Sequence, residues 1–173
     1  MAISLYDVTV AGYLQTLGAV ASVLDKGLAH CTAEGTDPNA LVSVRLAGDM
    51  LPLAFQIWSV QHHSLHAIEA CKSGVFGPPS AMPEMDYADL QKIIADTRAA
   101  LGKVTADEID ALEGRDMVFQ LGDFKIPFTA ENFLMSFLIP NFHFHATTTY
   151  DILRSKGVKL GKRDYMGKMR TKA

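Results

Sequence analysis

"LYDVTVAGYLQTLGAVASVLDKGLAHC", Leu5 to Cys31, places Tyr6, Val10, Tyr13, Leu17, Val20, Leu24 and Leu28 at three- and four-residue steps. That spacing lays one unbroken apolar stripe along an α-helix, because side chains three and four apart share a face. The stretch predicts a helix that begins at or just after Ser4 and runs to about Cys31. A stripe this long must be buried against other elements, and the rest of the chain supplies them.

Gly35 and Pro38 break the pattern, leaving room for one short turn over Asn39 to Val42. A second long helix is predicted from Asp49, a good N-cap, with Pro52 tolerated in its first turn, to about Lys72 before Gly74. Pro78, Pro79 and Pro83 interrupt the chain again. A third helix follows from about Asp86 through Leu101, with Leu90, Ile93, Ile94 and Leu101 facing inward. Thr105 and Glu108 form a capping-box pattern that opens a short helix over about Ala106 to Leu112. Met117 to Leu121 and Phe124 to Phe128 flank Gly122-Asp123, the signature of a β-hairpin, and Pro127 confines its second strand to an edge. Thr129 and Asn132 bracket the start of a fourth long helix that ends near Ser155, before Gly157. Four long helices with one small hairpin between the third and fourth predict an all-α four-helix bundle. The long connections argue against assuming a simple up-down-up-down order.

The 173 residues suffice for one domain with its own core. No unbroken apolar run approaches the roughly 18 residues that a membrane span requires, and the start carries Asp7 with no basic segment before it. The expectation is therefore a cytoplasmic protein without a membrane segment. Cys31 and Cys71 form no CxxC or ladder of spacings, which reads as reduced, buried thiols. Residues 154–173 hold eight Lys or Arg and a single acid, Asp164, a net +7 that leaves −10 for the first 153 residues of a chain at −3. This basic tail, from about residue 157, could meet polyanions. No aromatic platform or groove-reading motif accompanies it, so the expectation is a solvated tail and no nucleic-acid partner.

The histidines carry whatever chemistry the chain has. In "PNFHFHATTTYDIL", Pro140 to Leu153, His143 and His145 stand two apart and so point to nearly opposite sides of a helix. Projection puts His145 with Leu134, Leu138, Asn141, Thr148 and Ile152 on the buried stripe, and His143 with Ser136, Thr147, Tyr150 and Arg154 on the polar side. His145 is then either a hydrogen-bonded core histidine or a ligand or acid-base group. In "VQHHSLHA", His62 and His66 have the i, i+4 spacing of a metal pair. They project away from the inner arc of Leu53, Ile57, Val60, Ser64, Ala67 and Ile68, with His63 at its margin, so they read as a surface cluster. Asp49, Leu53, Gln56, Val60 and His63 share one strip of the second helix. His30 lies in the last turn of the first helix, where the helix dipole would favour its charged form. The alternative is that His30 meets Asp49, whose plainer role is the N-cap.

The blocks "MAISLYDVTV", "RLAGDMLPLAFQ", "PNFHFHATTTYDILR" and "GVKLGKRDYMG" resemble, in order, those of a bacterial and fungal domain-of-unknown-function family within the DinB-like/YfiT-like superfamily of metalloenzymes. The resemblance spans essentially the whole chain. It implies a DinB-like bundle in up-down-down-up order, often a homodimer. It also implies a divalent metal, zinc or nickel, held by one histidine of the second helix and an H-x-x-x-H pair of the fourth, and in some members transfer of small thiols. Here His145 stands for one member of that pair, but Asn141 and Thr149 occupy its i−4 and i+4 positions, and the second helix offers Asp49 and Gln56 inward. An oxygen-rich set with one imidazole holds zinc less well than three histidines do.

Two readings follow. In the first, a metal-free, non-catalytic relative keeps a small-molecule groove between the first, second and fourth helices, lined by His145, Asp49, Gln56, Asn141, Thr149 and His30. In the second, His145 ligates a divalent metal in a thiol-transferring or hydrolytic enzyme.

Overall fold

The computed structural model describes residues 3–172. It is mostly helical, with a small three-stranded sheet.

Helix α1 comprises Leu5–Val8 and Val10–Glu34, offset at Thr9. Ser4 caps its start by accepting from the Asp7 N–H, and Thr9 Oγ1 donates to the Leu5 carbonyl at the offset. Gly35, in the left-handed region, ends the helix one turn beyond the expected Cys31. Tyr13, Leu17, Val20 and Leu24 of its stripe are buried. By length and composition α1 could cross a membrane, and it is the one described helix that could, but its apolar stripe is used against the rest of the core.

The short α2 covers Asn39–Val42, as its position between breaks implies. Helix α3 runs through Leu53–Gln61, a wide π-helical turn His62–His66, and Ala67–Ser73, closed by left-handed Gly74. It does not begin at Asp49. Pro52 takes the N-cap position in extended conformation, since the ring of Pro52 disfavours helical backbone at Leu51 and so favours the later start. Asp49 is left exposed in the preceding turn.

Strand β1, Val75–Phe76, pairs in parallel with β2, Asp116–Leu121, which pairs antiparallel with β3, Phe124–Thr129. The hairpin lies where expected, with Pro127 on the edge strand opposite Val118. The parallel addition of β1 was not part of the sequence expectation.

Helix α4, Tyr87–Leu101, starts on a capping box from Asp86, and α5, Ala106–Asp110, on the Thr105–Glu108 box. Helix α6 comprises Ala130–Phe133, a second π-helical turn Leu134–Leu138, and Ile139–Ser155. The wide turn sits just ahead of Pro140, opening the carbonyl layer that the ring would otherwise strike. A final short helix, α7, covers Lys162–Met166.

Helices α1 and α3 each pack on both α4 and α6, while α7 lies on α1. Leu17, Leu24, Ile57, Leu90, Ile94, Phe133 and Phe142 belong to one contiguous buried cluster at the centre of these contacts.

Candidate functional site

The seam between α3 and α6 gathers His62, His63, Gln56 and His145. His145 points inward and is partly exposed at the edge of the seam, while His143 is exposed and bonded to the Tyr165 hydroxyl, the division the helix projection predicts. His145 Nδ1 lies 2.8 Å from Gln56 Oε1. Gln56 is fully packed and donates its amide N–H to the Leu51 carbonyl at 2.8 Å. That bond orients the amide, so Oε1 accepts and His145 must carry its proton on Nδ1, leaving the Nε2 lone pair unshared.

The ring of His63 lies near-parallel to that of His145, with centroids 5.3 Å apart and planes 24° from each other. His63 Nδ1 donates to the Ser59 carbonyl at 2.9 Å, which again frees Nε2. His62 donates from Nε2 to the Gly77 carbonyl at 2.9 Å, which frees Nδ1 instead. It stands edge-on to His63 and stacks on Phe76 at 4.4 Å.

Each imidazole is held neutral. Burial pushes His62 down to about 4, helped by repulsion from His63. Burial likewise takes His63 and His145 to about 4, each with a smaller push from a neighbouring histidine of the cluster. Three neutral rings with fixed tautomers thus each keep one ring nitrogen free to accept.

His62, only 8% exposed, overturns the expectation that it and His66 form a surface cluster, whereas His63, at 9%, is buried on the strip it was read to share with Gln56. The inner arc of Leu53, Ile57, Val60, Ser64, Ala67 and Ile68 is buried as a regular helix predicts. What differs is the other side, which β1 and the residue after it cover by laying Phe76 and Gly77 over the histidines. The run of three histidines in five residues was the available signal, but the strand that encloses it pairs with residues more than forty positions away.

The other residues proposed for the groove lie elsewhere or turn away. Asn141 donates its amide to the Phe137 carbonyl, and Thr149 its hydroxyl to the His145 carbonyl, each back along α6. His30 lies against Gly157 and, with Val158 and Lys159, lines a shallow notch. Asp49 is exposed before α3, and among the described residues no hydrogen bond or ion pair joins it to His30. The longer reach of α1 to Glu34 and the late start of α3 remove the juxtaposition of helix ends that such a contact needed. Helix α1 meets α6 elsewhere, through Tyr13 edge-on to Phe142, so the histidine seam is built by α3, α6 and β1.

A structural metal needs several donors converging at about 2 Å. Among the described residues no three His, Cys, Asp or Glu side chains are so gathered. His62 spends Nε2 on Gly77, and Asn141 and Thr149 do not stand in for the histidines that the resemblance would place there. The residues present do not fit a three-histidine centre.

The family model described as "Domain of unknown function (DUF1993)" matches residues 5–166. The chain belongs to this family. Among solved structures it is similar to a DinB family member protein from Shewanella denitrificans, at 27% identity and a TM-score of 0.81, over 98% of this chain and 95% of that one. No curated protein matches. The DUF1993 chain is therefore a DinB-like protein whose fold is shared along nearly its whole length.

Proposed function

We propose that this DUF1993 chain is a metal-free, DinB-like four-helix bundle in up-down-down-up order that binds a small neutral molecule at the α3–α6 seam. The observation that carries the reading is the cluster of neutral imidazoles with Nε2 of His63 and His145 unshared. Such acceptors suit a ligand that brings a hydroxyl or N–H donor. Phe55, edge-on to His145, and the exposed Phe144 beside it suit an apolar or aromatic body on that ligand.

A second reading has its own support. Histidines that ligate metals commonly donate the other ring N–H to a carbonyl or amide, as His63 and His145 do. A divalent-metal enzyme using His145 would exploit that preorganisation.

One pair of titrations separates the readings. Tag-free protein is titrated with zinc and nickel by calorimetry, and with phenol as a small aromatic donor by NMR of the histidine rings. The first reading expects phenol to shift His63 and His145 resonances saturably, and expects no tight stoichiometric metal. Metal bound at one equivalent and lost in His145→Ala would replace it with the second. Failure of phenol to perturb either ring overturns the small-molecule reading.

A further inference from the structure

The lysines and arginines of the basic C-terminal segment are exposed, as expected of a solvated tail, but its backbone is docked on the body of the protein. Gln15 Nε2 donates to the Met166 carbonyl at 2.8 Å, and Lys26 pairs with Asp164 at 2.5 Å. Asp164 also accepts from the Gly161 N–H, and these bonds hold its carboxyl below the usual carboxylate range, Lys26 most of all. Gly167, with φ of 61°, passes so close to Gln15 and Ala19 that a β-carbon there would be in tight contact with both. The segment is thus anchored at several points along α1.

This docking creates a cleft of about 530 Å³ between α1, α4 and the segment. Arg98 enters it from α4, and Arg163, Lys168 and Arg170 from the C-terminal side. Small residues of α1 form its floor. A β-carbon on Gly18 would stand 3.7 Å from the Arg98 guanidinium, so the missing side chain is part of the space under that group. Among the described residues the cleft's one carboxylate, Asp164, is already engaged by Lys26. Arg170 reaches Asp7 only at 3.7 Å on the exposed rim, and among the described residues Arg98, Arg163 and Lys168 make no ion pair. Four cations from two separate parts of the chain therefore surround a concavity with one neutralised acid. Elements that gather like charge at such a place gain if an anion occupies it.

We propose that this cleft binds a small phosphate-bearing ligand. Three guanidinium groups offer paired N–H donors that match the oxygens of phosphate, and Lys168 adds a mobile point charge. The volume falls within the range of small-molecule sites and exceeds what a bare phosphate fills, so the ligand carries an organic body or a second phosphate. The site is separate from the histidine seam, which lies between α3 and α6.

The full-length protein is titrated with pyrophosphate by calorimetry at low and physiological salt, beside citrate as a carboxylate anion and a single-stranded oligonucleotide as a polyanion. Arg98→Ala removes a charge, Gly18→Leu fills the floor with the charges kept, and Lys125→Ala removes a lysine on β3 outside the cleft. Thermal melts check that each variant is folded. The expected result is one-to-one pyrophosphate binding, weakened at least tenfold by Arg98→Ala and by Gly18→Leu and unchanged by Lys125→Ala. Absence of pyrophosphate binding at low salt overturns the proposal. So does tighter binding of citrate, or binding that Gly18→Leu leaves intact, which would mark a charged surface for polyanions instead of a built cleft.

Discussion

Lowering the pH should unload the histidine seam before it affects the carboxylates. His62 and His63 are held at about 4 in the folded chain against an ordinary value of 6.5. A histidine whose folded value is depressed binds its proton more readily when unfolded. Stability is therefore complete above about pH 6.5, falls as the pH drops toward 4, and levels off once both states are protonated. For a group shifted by this much, linkage gives a loss of about 2 to 3 kcal/mol by about pH 4.5, so the two buried rings together lose several kcal/mol. That is a large share of the 5 to 15 kcal/mol that roughly spans domain stabilities. His145 shifts the same way but is partly exposed, and His143 is exposed beside Tyr165, so solvent screening reduces their shares.

The carboxylates do not obscure this window. Glu108, Glu131 and Asp164 are lowered by their hydrogen bonds, with lysine partners for Glu108 and Asp164, so their stabilisation is complete above the ordinary carboxylate range and is lost from that range downward, at or below the acid end of this window. Urea unfolding at intervals from about pH 7.5 to 4.5 should show a slope approaching 2.7 kcal/mol per pH unit, or two protons taken up on unfolding. His63→Gln should remove about one of them. A slope below roughly 1.4 kcal/mol per pH unit, less than one proton, would refute the claim that these rings are buried and neutral.

Further outcomes follow from the packing. A methyl at Gly27 would collide with the Tyr87 hydroxyl, which donates to the Leu24 carbonyl at 2.8 Å, so Gly27→Ala should cost about 1 to 3 kcal/mol. Removing the oxygen in Tyr87→Phe should recover much of that loss, and additive costs in the double-mutant cycle would contradict the contact. The Tyr13 hydroxyl is buried without a hydrogen-bond partner among the described residues, so Tyr13→Phe should leave the melting temperature unchanged or raised, and a loss above about 1 kcal/mol would reveal a bond there. Burial pushes the Cys71 thiol up to about 12, so iodoacetamide at pH 8 should modify it about a thousandfold more slowly in the native chain than in urea, as mapped by mass spectrometry.

The fold was readable wherever a local rule decided it. The stripe from Tyr6 to Leu28, the Asn39–Val42 turn, the capping boxes at Asp86 and Thr105, and the hairpin around Gly122-Asp123 depend on neighbours within a few residues, and all are present. The start of α3 failed because the cap preference of Asp49 was weighed without the restriction that Pro52 puts on Leu51. At the site, His145 was readable from helix projection and Gln56 from its strip, and the two do meet. His63 was readable from the same strip as Gln56, but His62 was not, because a projection shows which side a residue takes and not what covers that side. Here the cover is β1, whose pairing with Val118 and Phe119 closes a long loop. The anionic-ligand cleft was hidden for the same reason: the charge of residues 154–173 was plain, but its docking beside Arg98 depends on contacts between α1 and α7.

Gln56 is where the two halves of the seam depend on one another, and two replacements should separate its packing role from its electrical one. It bridges the Leu51 carbonyl ahead of α3 and His145 on α6. In Gln56→Leu the shape is nearly kept and both bonds go. The Leu51 carbonyl belongs to an exposed residue and can turn to water, whereas His145 loses the acceptor that fixes its tautomer. The expected cost is about 1 to 2 kcal/mol, and nitrogen NMR should show the His145 proton no longer confined to Nδ1. In Gln56→Glu the size is kept and a negative charge is set beside the ring. An opposite charge favours the protonated imidazole, so His145 should titrate well above its value of about 4. Above its raised value, His145 loses its proton and with it the charge pair that stabilises this variant, and the carboxylate also faces the Leu51 carbonyl that the amide used to bond. Relative to wild type, Gln56→Glu should therefore be less stable near neutral pH and close that gap as the pH falls, because its His145 accepts in the folded chain the proton that wild type resists, while His62 and His63 act alike in both. If His145 instead keeps both its tautomer in Gln56→Leu and its titration in Gln56→Glu, Gln56 does not hold it, and the preorganised acceptor on which ligand binding at this seam relies is absent.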